Sequence, residues 1–295
     1  VACTEEYNGS SWSAGGALNI VRKDEGGFQM FGEGAYSATY AGGRNNAGLT
    51  TNESYNGTSW SFRPILPISN FSTTRVGTST AGIMIGGRAP IGDHIKNTFE
   101  YNNTTNTCVG VWSAAENMIT ARRAIGPSSQ GTQNAALAGG GITPSALSCT
   151  EEYNGASWSA GGALNSARSA LNGTGTQNAN ASVGGSGALT CHEQYDGSSW
   201  SVKTAMINGV YYMGLTGTTD AALKFSGYSN AYTSTTEEWN GSTWASGNAV
   251  NNARTGLSGA NGTQNATIWA LGYGGSYTSC HEHYTGTSWS VKSAV

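Results

Sequence analysis

One hexapeptide decides what this chain can fold into. Tyr7-Asn8-Gly9-Ser10-Ser11-Trp12 returns as Tyr55-Asn56-Gly57-Thr58-Ser59-Trp60 and as Tyr153-Asn154-Gly155-Ala156-Ser157-Trp158. Further copies are Tyr195-Asp196-Gly197-Ser198-Ser199-Trp200, Trp239-Asn240-Gly241-Ser242-Thr243-Trp244 and Tyr284-Thr285-Gly286-Thr287-Ser288-Trp289. Tyr101 and Trp112 form a seventh pair around a longer insertion, and the seven tryptophans fall 42 to 52 residues apart. A period of that length is one supersecondary unit that must stack on its neighbours to bury its apolar faces, the spacing of a propeller blade.

The punctuation inside each period points the same way. An Arg follows the Trp (Arg22, Arg75, Arg122, Arg168, Arg254), then a Gly-Thr-Gln-Asn turn at residues 131–134, 175–178 and 262–265. A small-residue strand then ends in a Gly pair: Gly42-Gly43, Gly86-Gly87, Gly139-Gly140, Gly184-Gly185 and Gly274-Gly275. The fifth complete period departs, with Ser226-Gly227 and no Arg. Four short strands joined by Gly- and Asn-bearing turns predict an antiparallel meander, with Asn-Gly in a two-residue type I′ hairpin turn. Segments such as Ala135-Ala136-Leu137-Ala138 lack alternation, as strands covered on both faces do.

The expected fold is therefore all-β, a β-propeller of four-stranded blades and a single domain over residues 1–295. Residues 1–21 read as an outer half-blade, and six repeats end near 66, 118, 164, 206, 250 and 295. Seven blades is the preferred count, with the first blade's inner strands upstream of Val1; six blades plus an extra outer hairpin is the alternative.

A Gly pair, a Tyr and a Trp in successive strands, with an Arg ahead of the next unit, resembles the kelch motif over essentially the whole chain. The run Thr-Glu-Glu-Tyr-Asn-Gly-x-Ser-Trp resembles kelch-like propellers encoded among the virion (tail or fibre) genes of marine bacteriophages. That resemblance implies a virion or extracellular location. It also implies a non-enzymatic structural or receptor-binding role towards host surface glycans or neighbouring virion proteins, with possible oligomers.

Recurrence separates scaffold from chemistry. The Glu pairs Glu5-Glu6, Glu151-Glu152 and Glu237-Glu238 recur at one repeat position, whereas a glycosidase needs one asymmetric pair. They are expected to be solvated strand residues or to make hydrogen bonds between blades. Cys3, Cys149, Cys191 and Cys280 also share a repeat position, which separates them beyond disulfide reach, and Cys108 alone lies off the pattern. Cys191-His192 and Cys280-His281-Glu282-His283 offer two imidazoles on one strand face but no third metal ligand, so neither metal nor cofactor is expected. Each Arg is expected to bridge backbone carbonyls between blades, with an anion-binding ring at one axial opening as the alternative.

Composition narrows the partners. Charged residues are 11% of the chain, the net charge is −3 and no Lys/Arg cluster exists, so a nucleic-acid footprint is missing. No apolar run approaches the roughly 20 residues of a membrane-spanning helix. Binding residues are sought where the repeat is broken, in the connections 62–68 and 88–96, which strand order places on the same face. Arg63, Arg88, Asp93, His94 and Lys96 are the candidates. A secreted adhesin or lectin-like propeller is the alternative to the virion reading, and a glycan-acting enzyme is a further one.

Overall fold

The computed structural model describes residues 4–8, 11–22, 31–34, 37–45, 47–78, 80–89, 94–102, 111–255, 260–278 and 281–292. No helix occurs among them. Six four-stranded antiparallel sheets, each a meander with its strands in chain order, are the blades of a β-propeller. Blade one comprises Phe31–Gly34, Ser37–Ala41, Asn52–Tyr55 and Trp60–Arg63; blade two Thr74–Gly77, Ala81–Ile85, Thr98–Asn102 and Val111–Ala115. Blade three comprises Gly126–Pro127, Ala136–Gly139, Thr150–Tyr153 and Trp158–Ala160; blade four Asn172–Gly175, Asn180–Val183, His192–Tyr195 and Trp200–Val202. Blade five comprises Gly214–Gly217, Ala222–Phe225, Thr236–Trp239 and Trp244–Gly247; blade six Ala260–Thr263, Ala266–Ala270, His281–Tyr284 and Trp289–Val291. Glu5–Tyr7 and Trp12–Ala14 pair as a two-stranded hairpin. Six is thus the number of four-stranded blades, the alternative count rather than the preferred seven. The repeated four-stranded blades are consistent with a kelch-like repeat.

The chain divides into two compact units, one of Val1–Ala124, Gly131–Ala136 and Tyr153–Ser159, the other of Ile125–Gln130, Leu137–Glu152 and Ala160–Val295. Within each, every letter of the Thr-Glu-Glu-Tyr strand has an assigned partner. The Thr hydroxyl accepts the indole N–H of the Trp in the following sheet: Trp60 to Thr4 at 2.7 Å, Trp158 to Thr98 at 2.9 Å, Trp200 to Thr150 at 2.9 Å and Trp289 to Thr236 at 3.0 Å. In blade four His192 replaces the Thr, and its Nδ1 lies 3.2 Å from the Trp244 indole nitrogen. The second Glu accepts the hydroxyl of the next Tyr: Glu6 from Tyr55, Glu100 from Tyr153, Glu152 from Tyr195 and Glu238 from Tyr284. Blade four carries Gln194 instead, and blade five correspondingly has Trp239 in place of Tyr; both donate to the Thr219 carbonyl. The second Glu of each pair therefore links sheets, one of the two roles that recurrence suggests.

The first Glu faces inward within its own blade. Glu193 takes Arg168 at 2.6 Å, the backbone N–H of Asn165 at 2.6 Å and the Asn165 amide at 2.8 Å. Arg22 with Glu53 and Arg254 with Glu282 repeat that arrangement, with Asn19 and Asn251 in the role of Asn165. Charges this deeply buried persist only when paired and fully hydrogen-bonded. Arg22 and Arg168 also donate to the backbone carbonyls of Gly42 and Ser182, but these lie in the same blade, so each Arg serves an internal ion pair rather than the expected bridge between blades.

Three details of the repeat need correction. Tyr55 pairs directly with Trp60, so the hairpin loop has four residues, and only Gly57 has positive φ. The Asn56 side-chain oxygen accepts the N–H groups of Thr58 and Ser59 at 3.0 and 2.9 Å, an Asx turn rather than type I′. The Gly pair of blade three is Gly140-Gly141, and blade six substitutes Leu271-Gly272, all at positive φ. The second member of the pair reaches the adjacent blade: Gly141 N–H donates to Arg168 O and Gly185 N–H to Val210 O. Finally, Arg75 lies within a strand and donates to Ala41 O; Asn70 holds the true Arg position of that repeat.

Candidate functional site

The fifth blade shows how the scaffold tolerates the missing Arg. Val210 occupies the Arg position, and Lys224 from the second strand supplies the cation, 3.1 Å from Glu237. Burial lowers the Lys224 pKa and Glu237 opposes that shift. Charge is conserved while its origin moves. None of these buried pairs is accessible to a ligand, which leaves the connections between strands as the accessible surface.

In five of the six blades the loop between the second and third strands carries one recurring backbone bridge: Arg44 to Gly48, Arg88 to His94, Ile142 to Ala146, Tyr228 to Tyr232 and Tyr273 to Tyr277. The strands fix this loop's ends, but its residue types vary from copy to copy. In blades five and six they are tyrosines. With Tyr211 and Tyr212 from the entry to blade five, they form one strip. Ring centroids lie 5.1 Å apart for Tyr212 and Tyr211, 5.5 Å for Tyr211 and Tyr228, and 5.2 Å for Tyr228 and Tyr232. The strip continues at 5.9 Å to Tyr273 and 5.2 Å to Tyr277. All five steps are edge-to-face, the geometry that aligns a ring's positive edge with its neighbour's negative face.

Backbone pairing holds the strip in register. Tyr211 and Tyr228 exchange N–H···O bonds at 3.2 and 2.9 Å, and Thr255 and Tyr273 do so at 2.8 Å each. Exposure rises along it, from half-buried Tyr211 and Tyr212 to Tyr273 at 39% and Tyr277 at 89%. Loss of solvation raises the Tyr232 pKa, and neighbouring Tyr273 and Tyr228 raise it further, so this hydroxyl stays protonated at neutral pH. Beside Tyr273 and Tyr277 lies an open depression of about 180 Å³, lined by Asn252, Ala253, Arg254, Gly274, Ser276 and Thr278. The Arg254 guanidinium stacks on Trp269 at 3.5 Å and is neutralised by Glu282, so the lining is polar with its one charge balanced.

The residues singled out from the sequence occupy comparable loop positions. Arg88 and His94 form the bridge corresponding to Tyr228 and Tyr232, and Arg123 donates to His94 Nε2 at 2.8 Å. Arg63 instead donates to Ser54 on its own blade, and Lys96 is exposed. Asp93 lies outside the described residues, as do Cys3, Cys108 and Cys280. Cys149 and Cys191 are half-buried. The His281 and His283 rings are 4.5 Å apart, and no group of three or more metal-ligating side chains occurs among the described residues.

Two titrating groups make the second unit acid-sensitive. Burial lowers the His192 pKa to about 4, against a weaker opposing hydrogen bond from the ring to the Thr204 carbonyl. Burial opposes ionisation of Glu282, but the Arg254 and Asn251 hydrogen bonds outweigh it and hold its pKa below the usual value. Both sites bind fewer protons folded than unfolded, so both add stability at neutral pH that is lost on acidification. For His192 the loss begins as pH falls below the unfolded value near 6.5 and is complete below about 4, roughly 3 kcal/mol in all. For Glu282 it begins near the ordinary carboxylate pKa and runs through the lower folded value. Urea unfolding at pH 7, 5 and 4 should show the decline, and His192→Thr, the residue type of blades two, three and five at this position, should flatten the pH 7 to 5 part.

Compared with known proteins, the chain matches no family model, and no curated protein matches it.

Proposed function

We propose that this chain is a non-enzymatic binding module that holds surface glycans through the tyrosine-bearing loops of blades five and six. The observation that carries the reading is the strip itself: six tyrosines in contact, on positions that the repeat leaves free to vary. Aromatic rings with hydroxyl tips offer apolar faces to sugar C–H groups and donors and acceptors to sugar hydroxyls, at little conformational cost. A non-enzymatic role is supported by the use of the recurring carboxylates, which are engaged with Arg, Lys or Tyr as structural links. Resemblance to phage virion propellers supports display on a virion, in contact with a host surface or with neighbouring virion proteins. A secreted adhesin would use the same surface.

A glycan array probed with the intact protein tests the binding reading. Retention of one glycan class is expected, weakened in a Tyr273→Ala/Tyr277→Ala variant that unfolds at the wild-type temperature. An empty array would overturn the reading. Co-sedimentation with purified virions is the expected result for virion display, and free recovery from the culture medium would favour the adhesin.

A further inference from the structure

Resting on that glycan-binding reading, we infer that the ligand is an uncharged polysaccharide bound along its length, not a terminal or acidic sugar. The chemistry of the four segments that build the strip decides the charge. Residues 207–212, 226–235, 250–255 and 271–278 contain no Asp, Glu, Lys or His, and their single Arg is Arg254. That guanidinium is 1% exposed and ion-paired with Glu282 at 2.6 Å. A carboxylated or sulfated glycan would lose its hydration here without meeting a free cation, which disfavours it strongly. Hydroxyl and amide groups of Ser229, Asn230, Asn252, Ser276 and Thr278 supply the neutral hydrogen-bonding complement.

The arrangement of the rings decides the length. Five successive contacts connect six rings into one continuous series, whereas a terminal sugar would need only one or two rings around a pocket. The depression beside Tyr273 and Tyr277 is open, suited to a sugar passing through rather than ending there. Tyr212 adds an independent sign. It sits at φ 53°, a conformation the repeat imposes at Ser72, Ala124 and Ala170 too, with φ 54°, 53° and 53°. Those copies use small residues; a bulky side chain there is an outlier in a sparsely allowed region. Strain of this kind is retained where a side chain is needed at that spot.

The test uses the full chain and neutral glucan, mannan and galactan oligomers of one, three and six units, with a polyuronate hexamer as the charged control. Calorimetric titration should show affinity rising at least about tenfold from trimer to hexamer for one neutral series, with no heat from the polyuronate. Tyr277→Ala should weaken hexamer binding roughly tenfold, the order of one aromatic stacking contact. Tyr212→Gly relieves the φ strain, so it should unfold no earlier than wild type while losing part of the hexamer advantage and none of the trimer binding. Equal affinity for monomer and hexamer, or preference for the polyuronate, would overturn this inference and leave a glycan-binding module standing. Failure of every saccharide here and on the array would overturn both.

Discussion

Glu193→Ala is expected to destabilise the protein by about 3–5 kcal/mol, because it leaves the Arg168 guanidinium buried without its counter-charge. The Arg168 side chain has no solvent exposure and lies 2.6 Å from Glu193, which also accepts two hydrogen bonds from Asn165. Urea midpoints at pH 7 measure the loss, with an unchanged m-value locating the effect in the folded state. A loss below about 1 kcal/mol would mean that the charge reaches water or another partner. The chain itself contains the compensated alternative. In blade two Asn70 and Phe99 stand where blade four has Arg168 and Glu193, and Met84 stands opposite Phe99 where Ser182 faces Glu193. Met84 and Phe99 belong to one buried apolar cluster with Leu66, Ala41 and Tyr101. The triple change Arg168→Asn, Ser182→Met and Glu193→Phe should therefore recover more than half of the loss, since replacing a buried ion pair by packed apolar groups is often neutral.

These swaps mark what a linear reading could and could not reach. The blade period was legible because one conspicuous loop recurs, and each strand triplet hangs from it at a fixed distance. The partner of a repeated residue was not legible, because it comes from another repeat: Glu152 meets Tyr195, 43 residues on. The fifth blade looked simply defective for want of an Arg. Its cation arrives instead from the second strand, a place where the other copies have no basic residue to compare. The turn type was missed because Asn-Gly suggests a two-residue loop, while Ser59 and Thr58 extend it to four and give the Asn side chain its partners.

The tyrosine strip is hidden from a linear reading for a different reason. Charged residues were sought in broken loops, and Arg88 and His94 do occupy the right loop position in blade two. A count of tyrosines by location would have done better. Of the 14 in the chain, six fall outside the recurring hexapeptide and between positions 211 and 277. What the sequence withheld was their contact, which depends on backbone bridges such as Tyr211 to Tyr228 that bring separate connections together.

The second large effect concerns the tryptophan that made the period visible. Trp200→Ala should cost about 3–5 kcal/mol, the usual range for truncating a large buried aromatic. Trp200 is 7% exposed and packs in a cluster with Leu137, Leu164, Leu171 and Tyr195. Its ring lies 5.0 Å from that of Tyr195 and donates its N–H to Thr150. Two contributions are therefore entangled, apolar burial and one buried hydrogen bond, and Thr150→Val separates them. That change keeps the shape and strands the indole N–H, for an expected loss of about 1–3 kcal/mol. If Thr150→Val equalled Trp200→Ala, the hydrogen bond would be the dominant link between the sheets. If it were near neutral, water would be reaching the indole. The intermediate result is expected, because only the ring carries the packing area. The natural His192 acceptor opposite Trp244 shows that the acceptor can change while the ring stays.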